Sequence, residues 1–414
     1  MNTPIIKPFN LSEIPDFNNL VNGTITESKN LKLQQIESEV INKQKYSVIR
    51  YLKDFLCLDM IPTYGLCRSV ILNSLNNVVG FAPPKSIPSD SFIKMYPEKT
   101  NHLNAQEFIE GTMINAFWDP SIGLTGGWEI STRNTVGARS SFFKGPNNVT
   151  FRDMFLEAST KNNLILDQLN KDLCYSFVLQ HPNNRIVVPF NKPELYLVAV
   201  YNIKIIDGNT MVLSYPMDDL KQYNWGSSTI KFPQVYEWNT YSELIEKYAS
   251  MNTSYSVLGF VVYNNLTGER MKVRNPVYEQ VRSLRGNQPK LQYQYLCLRK
   301  EGKVADFLKF YPENKKELSS FRDQVHLFTN TLFANYASCY IKKEKPLKEF
   351  SEQYRTHMFN IHKIYMDDLR EKKMFITNTT VKDYVNNLHP SLLMYCLNFQ
   401  MRKRNVDIIA SGLH

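Results

Sequence analysis

The hydrophobic periodicity of this chain changes once, near residue 300, and that change limits the folds open to it. Before it, short apolar or β-branched runs alternate with turn clusters. Val70-Ile71-Leu72 is followed by Asn73-Ser74-Leu75-Asn76-Asn77 and then by Val78-Val79-Gly80-Phe81, which is the signature of an antiparallel hairpin. Leu195 to Ile206, Asp207-Gly208-Asn209 and Met211-Val212-Leu213 repeat the pattern around turn residues that tolerate positive φ. A third instance joins Leu258 to Tyr263 through Thr267-Gly268 to Met271-Lys272-Val273-Arg274. Beyond residue 300, Phe321, Val325, Phe328, Leu332, Tyr336, Cys339 and Tyr340 step by three and four, which places them on one face of a helix. Helical patterns also surround His357 to Lys373 and Val381 to Phe399. The expected fold class is therefore α+β, an antiparallel body followed by an all-helical C-terminal domain. Three segments are expected: a helical and strand extension over 1–60, the body over 61–298 and the helical domain over 299–414.

Charge is distributed as unevenly as periodicity. The 414 residues carry a net charge of +10. Residues 1–269 hold 23 basic and 25 acidic side chains, 270–300 hold 8 and 1, and 301–414 hold 18 and 13. An excess confined to the last third implies a phosphate-facing surface there rather than a generally cationic protein. No apolar run approaches the roughly 18 residues a membrane helix needs, and the start MNTPIIKPFNLSEIPDF lacks a basic region leading into an apolar one. Neither a membrane span nor a secretory signal is expected, and a cytoplasmic location is the default. The cysteines are scattered with no Cys-x-x-Cys pair, and the histidines form no His-Glu-x-x-His. No disulfide framework or metal site is predicted.

The segments able to carry chemistry lie in the body. Glu107-Phe108-Ile109-Glu110-Gly111-Thr112 leads into an apolar strand. Upstream stand Cys67-Arg68-Ser69-Val70 and Pro83-Pro84-Lys85-Ser86. Downstream come Trp128-Glu129-Ile130-Ser131-Thr132-Arg133, then Tyr175-Ser176-Phe177-Val178, Pro182-Asn183-Asn184-Arg185-Ile186-Val187, Leu258-Gly259-Phe260-Val261-Val262 and Lys272-Val273-Arg274. This ordered set resembles the phage-type ATP-dependent RNA ligases, members of the covalent nucleotidyltransferase superfamily, and is most similar to the RNA-ligase-like proteins of large DNA viruses. The resemblance covers roughly residues 60 to 290 and implies an antiparallel-sheet nucleotidyltransferase (ATP-grasp-like ligase) body. The helical tail is similar to the C-terminal domain of such proteins more loosely.

In that family a lysine in a Lys-x-Asp-Gly motif attacks the α-phosphate of ATP, and the nucleotide then passes to an RNA 5′-phosphate. The attacking amine must be neutral, which neighbouring cations promote. Alignment on Gly111 puts Phe108 at the position of that lysine, and a phenyl ring cannot form a phosphoramidate. Glu110 stands for the motif's Asp, Ser176 for a glutamate beside the base, and Leu258 for a metal-holding glutamate. Lys272 and Arg274 stand for two lysines near the α-phosphate. The resemblance thus assigns nucleotide binding to Arg68, Lys85, Glu107, Glu110, Gly111, Arg133, Phe177, Lys272 and Arg274, with no metal ligand. Tyr175 and Phe177 share one strand face, which suits core packing as well as base stacking.

Loss of the nucleophile and of a metal carboxylate, with the cations retained, predicts a pseudoenzyme that binds RNA or a nucleotide. The alternatives are an active ligase using a displaced lysine such as Lys85, with ATP and Mg2+ as cofactors, and a complex-forming viral protein of the host cytoplasm or virion. The window 270–300 interleaves its cations with Tyr278, Tyr293 and Tyr295, a composition suited to single-stranded RNA. Arg185, Arg282, Arg285 and Lys290 are the expected RNA contacts.

Overall fold

The computed structural model describes residues 6–38, 44–142 and 149–402. The chain divides into two compact units, Met1–Gln280 and Val281–His414. The first unit is built on strands β1 (Phe9–Asn10), β2 (Leu31–Ser38), β3 (Gln44–Tyr51), β4 (Val70–Leu72) and β5 (Val78–Phe81). There follow β6 (Leu103–Glu107), β7 (Thr112–Asp119), β8 (Gly127–Ser131), β9 (Leu173–Gln180) and β10 (Glu194–Ile206). The last are β11 (Asn209–Ser214), β12 (Val235–Tyr236), β13 (Gly259–Asn264) and β14 (Arg270–Arg274). They form a six-stranded sheet in the order β1-β11-β10-β9-β7-β8 and two four-stranded sheets, β12-β6-β13-β14 and β2-β3-β4-β5. Every pairing between these strands is antiparallel. Residues 1–60 do not stand apart, since β1 joins the large sheet and β2 and β3 open the third. The boundary between units falls at 280/281 rather than at 298/299.

The three expected hairpins are β4–β5, β10–β11 and β13–β14. Asp207 and Gly208 turn the second of them with φ of 49° and 76°, the positive-φ pair that matches the twist of a two-residue hairpin.

Side-chain alternation assigns the faces. In the β12-β6-β13-β14 sheet, Leu103, Ala105, Phe260, Val262 and Met271 pack with Phe92, Tyr241 and Leu244 from the helices Ser89–Met95 and Tyr241–Tyr248. Residues of the other parity, Asn104, Gln106, Val261, Tyr263, Arg270, Lys272 and Arg274, therefore point to the opposite face. That face looks onto the large sheet, because Asn104, Gln106 and Tyr263 line a small cavity together with Ala199, Tyr201 and Ser214. The large sheet buries Ile114, Ala116, Ile130, Tyr175, Phe177 and Leu179 against Met154, Phe155 and Ala158 of the helix Phe151–Lys161. Its opposite face puts Phe117, Cys174, Tyr201 and Val212 into a core shared with β3, β4 and β5.

The second unit is helical among its described residues. Its longest helix, Lys315–Tyr336, buries Leu318 together with Val325, Phe328, Leu332 and Tyr336 of the expected stripe, while Cys339 and Tyr340 fall in the π-helical turn Ala337–Ile341. Phe328 stacks on Tyr354 and meets His357 edge-on, both from the helix Glu352–Ile364. The stretch from Val381 to Phe399 is broken at Pro390 into Asn378–Asn387 and Pro390–Leu397, because proline carries no N–H and sits best at a helix start.

Candidate functional site

The link from β6 to β7, Phe108 to Gly111, carries the chain from the small sheet to the large one. Gly111 adopts φ +149°, and a Cβ there would lie 2.4 Å from the Leu179 carbonyl oxygen. Only glycine fits, so this position fixes the register of everything just before it. The Phe108 N–H donates to Gly259 O at 3.3 Å, and Gly259 pairs with Arg274. One row outward, Gln106 and Lys272 flank Val261. In the next row, Asn104 and Arg270 flank Tyr263. Strand β14 therefore presents three cations to the cleft at two-residue intervals, a separation of about 7 Å each.

The half-buried Phe108 ring lies under two of these cations. Lys272 Nζ is 4.7 Å and Arg274 Cζ 5.9 Å from its centroid, within range of cation–π attraction. Where the family has an amine, this chain has a ring with cations above it.

Arg68, Lys85 and Arg133 join the same electrostatic cluster. Burial pushes the Arg68 guanidinium down to about 10, with Arg270 and Arg133 adding to the shift. Burial also lowers the Lys85 ammonium, helped by Arg68, Arg133, Arg270 and Arg274. Lys272 is lowered furthest, first by burial and then by Arg270, Arg68, Arg274 and Lys85. Arg270 donates to Pro84 O at 2.8 Å and to the Tyr263 hydroxyl at 3.1 Å. Its Nε has no partner, nor does the Nε of Arg133, whose guanidinium sits 5.3 Å over the Tyr51 ring. Among the described residues, Arg274 is the one member of this set of six with an ion pair, to Glu279 at 3.4 Å. Like charges gathered without compensating carboxylates raise the local positive potential and attract an anion.

The remaining expected residues lie elsewhere. Phe177 is fully buried against Phe155 and Tyr175 on the helix-covered face, opposite to the face that would meet a base. Ser176 takes the cleft-side parity and donates to Asn115 Oδ1 at 2.7 Å. Glu110 is buried and accepts from the N–H groups of Val187, at 2.8 Å, and Val188, at 3.2 Å. It clamps the segment after Pro182 instead of facing phosphate. Arg185 belongs to that clamp: its Nε donates to Val187 O at 3.0 Å and its charge acts on Glu110. Glu107 accepts from the Gln234 N–H at 3.4 Å at the sheet edge, and burial raises its pKa. Arg282, Arg285 and Lys290 lie in the second unit, the first two at the end of the helix Pro276–Arg285.

Two features of the site were not assigned to it from sequence. Arg270, counted there only as part of the basic window 270–300, continues the two-residue period of Lys272 and Arg274, and that spacing was the available signal. The second feature is a cross-strand row of buried polar residues, Ser131, Asn115 and Ser176, paired across β8, β7 and β9. Asn115 Nδ2 and Ser131 Oγ have no hydrogen-bond partner. No short motif announces a row assembled from three strands.

The positions of β14 with cleft-side parity are cations, and no group of three His, Cys, Asp or Glu suited to a metal occurs among the described residues.

A three-sheet antiparallel body, a glycine-anchored strand crossing and a cluster of cations beside it define the class: the chain is an RNA-ligase-like protein with viral relatives. No family model matches it. It is 24% identical over 290 residues to an RNA ligase of Rhodothermus phage RM378, covering 62% of this chain and 64% of that one. It is also 24% identical over 293 residues to an immediate-early protein ICP-46 homolog of Invertebrate iridescent virus 6, covering 66% and 61%. The alignments thus span less than two thirds of either relative. An archaeal ATP-dependent RNA ligase overlays 77% of the chain and 80% of its own, with a TM-score of 0.38 and 9% identity. No helix among the described residues is long and apolar enough to cross a membrane.

Proposed function

We propose that the first unit binds a phosphate-bearing RNA end or nucleotide in the cleft between its sheets, and that position 108 no longer carries the nucleotide covalently. The observation behind this is the set of six cations, Arg68, Lys85, Arg133, Arg270, Lys272 and Arg274, gathered so closely that burial and then their neighbours' fields lower the proton affinity of Arg68, Lys85 and Lys272. Such a cluster is held together best by a polyanion. A triphosphate such as that of ATP fits these side chains, whereas a protein-bound Mg2+ does not. RNA is the favoured polymer because one relative is named as an RNA ligase. The alternative nucleophile Lys85 is weaker on geometry, since its Nζ donates to Ser86 O at 3.1 Å.

Fluorescence anisotropy with matched single-stranded RNAs bearing a 5′-phosphate or a 5′-hydroxyl tests the proposal. The phosphorylated strand is expected to bind more tightly, and Arg68→Gln with Arg274→Gln to erase the difference. Equal affinity of wild-type protein for the two ends would overturn it.

A further inference from the structure

We propose that Lys272 is a surrogate nucleophile, the amine of this cleft able to accept a nucleotidyl group from a nucleoside triphosphate. The inference rests on the cleft being the phosphate site proposed above.

The case begins with position. Lys272 lies on β14 and Phe108 directly follows β6 of the same sheet, and both have the cleft-side parity. The Lys272 amine lies 4.7 Å from the Phe108 ring centroid, so it occupies the neighbourhood that a lysine side chain at 108 would reach. The missing amine is replaced from the strand next but one, while the ring fills the volume the original stem would have crossed.

Surroundings come next. Arg270 and Arg274 flank Lys272 along β14, and Arg68 and Lys85 approach from the chain around β4 and β5. The nearest carboxylate partner in this set, Glu279, is taken by Arg274. Among the described residues, no hydrogen bond or ion pair engages the Lys272 ammonium, whose ring contact is Phe108. Burial, and then Arg270, Arg68, Arg274 and Lys85, disfavour a proton on this amine, which is the state a nucleophile requires; on the binding proposal these same cations would meet the phosphate oxygens. Lys85 differs on both counts. Its Nζ is spent on the Ser86 carbonyl, and its segment is tied to β14 through the Ile87 N–H and Arg270 O at 2.8 Å.

The chemistry balances without an added reactant. The Nζ lone pair forms a P–N bond at the α-phosphorus, and the bridging P–O bond to the β-phosphate breaks. Pyrophosphate leaves with that electron pair, and the displaced amine proton passes to solvent. Arg68, Arg270 and Arg274 supply positive charge where the leaving phosphates gain negative charge.

The test offers α-labelled ATP to the full chain, followed by denaturation, and measures ATP binding in parallel. Wild-type protein should retain label through a bond that is cleaved by acid and survives alkali, as a phosphoramidate does. Lys272→Arg keeps the charge and the ring contact but is not nucleophilic; it should bind ATP and lose the label. Lys161→Arg, at the end of the helix Phe151–Lys161 and outside the cleft set, should keep both. Label persisting on Lys272→Arg would overturn the inference, as would a wild-type protein that binds ATP and takes no label. A wild-type protein that binds neither ATP nor phosphorylated RNA would instead overturn the binding proposal on which this one rests.

Discussion

Restoring a lysine at position 108 is the sharpest probe of the cationic cleft, and its cost follows from the structure. In Phe108→Lys the new ammonium would lie about 5 Å from Lys272 Nζ and Arg274, judged from the ring distances of 4.7 and 5.9 Å. At an effective dielectric constant of about 20, each repulsion is worth about 3 kcal/mol. Position 108 is half-buried, so water screens part of this, and about 3 kcal/mol for both together is the working figure. Phe108→Leu is the reference, because it loses the cation–π contacts equally but adds no charge. All four tryptophans, Trp118, Trp128, Trp225 and Trp238, lie in the first unit, so their fluorescence during urea unfolding reports that unit alone. The folded variant holds the new amine below its ordinary proton affinity, so the unfolded chain binds more protons, and stability rises with pH. Phe108→Lys should be less stable than Phe108→Leu by about 3 kcal/mol at pH 7, with the gap closing to about 1 kcal/mol near pH 9.5 as the amine deprotonates in both states. A gap that stays constant with pH, or that is absent at pH 7, would refute a cleft of mutually repelling cations.

Two further outcomes are expected. Burial pushes the Glu110 carboxyl from its ordinary 4.5 up to about 7. Between those values the folded state holds a proton that the unfolded state has released, so this group's stabilising contribution is full below about pH 4.5 and falls as pH rises through 7, by up to about 3 kcal/mol. Glu110→Gln should flatten that part of the unfolding profile between pH 5 and pH 8, and a slope equal to wild type would show that Glu110 is not its source. Replacing Arg282, Arg285 and Lys290 with Gln should lower the dependence of log affinity on log salt for single-stranded RNA by about 2, at about 0.7 per lost phosphate contact. An unchanged slope would remove this window from the RNA surface.

What could be read from sequence divides along physical lines. The hairpins were legible because turn residues separate their apolar runs, and the long helix because its buried residues recur at spacings of three and four. Phe108 could be placed because Gly111 anchors its register, and the Leu179 carbonyl 2.4 Å from a hypothetical Cβ shows why no other residue stands there. Strand β9 gave no such help. Leu173 to Leu179 are all buried, so alternation carries no polarity signal, and nothing in Tyr175-Ser176-Phe177 says that the rings face the helix and the serine the cleft. Glu110 was misplaced for a different reason. Its partners are the N–H groups of Val187 and Val188, more than seventy residues away, and a local motif cannot distinguish a carboxylate that meets phosphate from one that clamps a loop.

The ring at position 108 and the six cations of the first unit are then linked rather than separate features. A lysine there would add another like charge about 5 Å from two others, whereas a ring offers its negative face to both. Phe108 therefore lowers the electrostatic cost of keeping Lys272 and Arg274 together in the absence of an anion. Leu258 in place of a carboxylate acts in the opposite sense, since it removes a charge that would have offset the cluster. Since Arg274 alone of the six has an ion pair among the described residues, an anion bound as proposed would be the neutralising partner. Under the binding proposal, ligand affinity and stability of the first unit would be coupled: a ligand that binds only the folded cleft stabilises it by RT ln(1 + [L]/Kd). The coupling is carried by Arg68, Arg270, Lys272 and Arg274 whether or not a covalent bond ever forms.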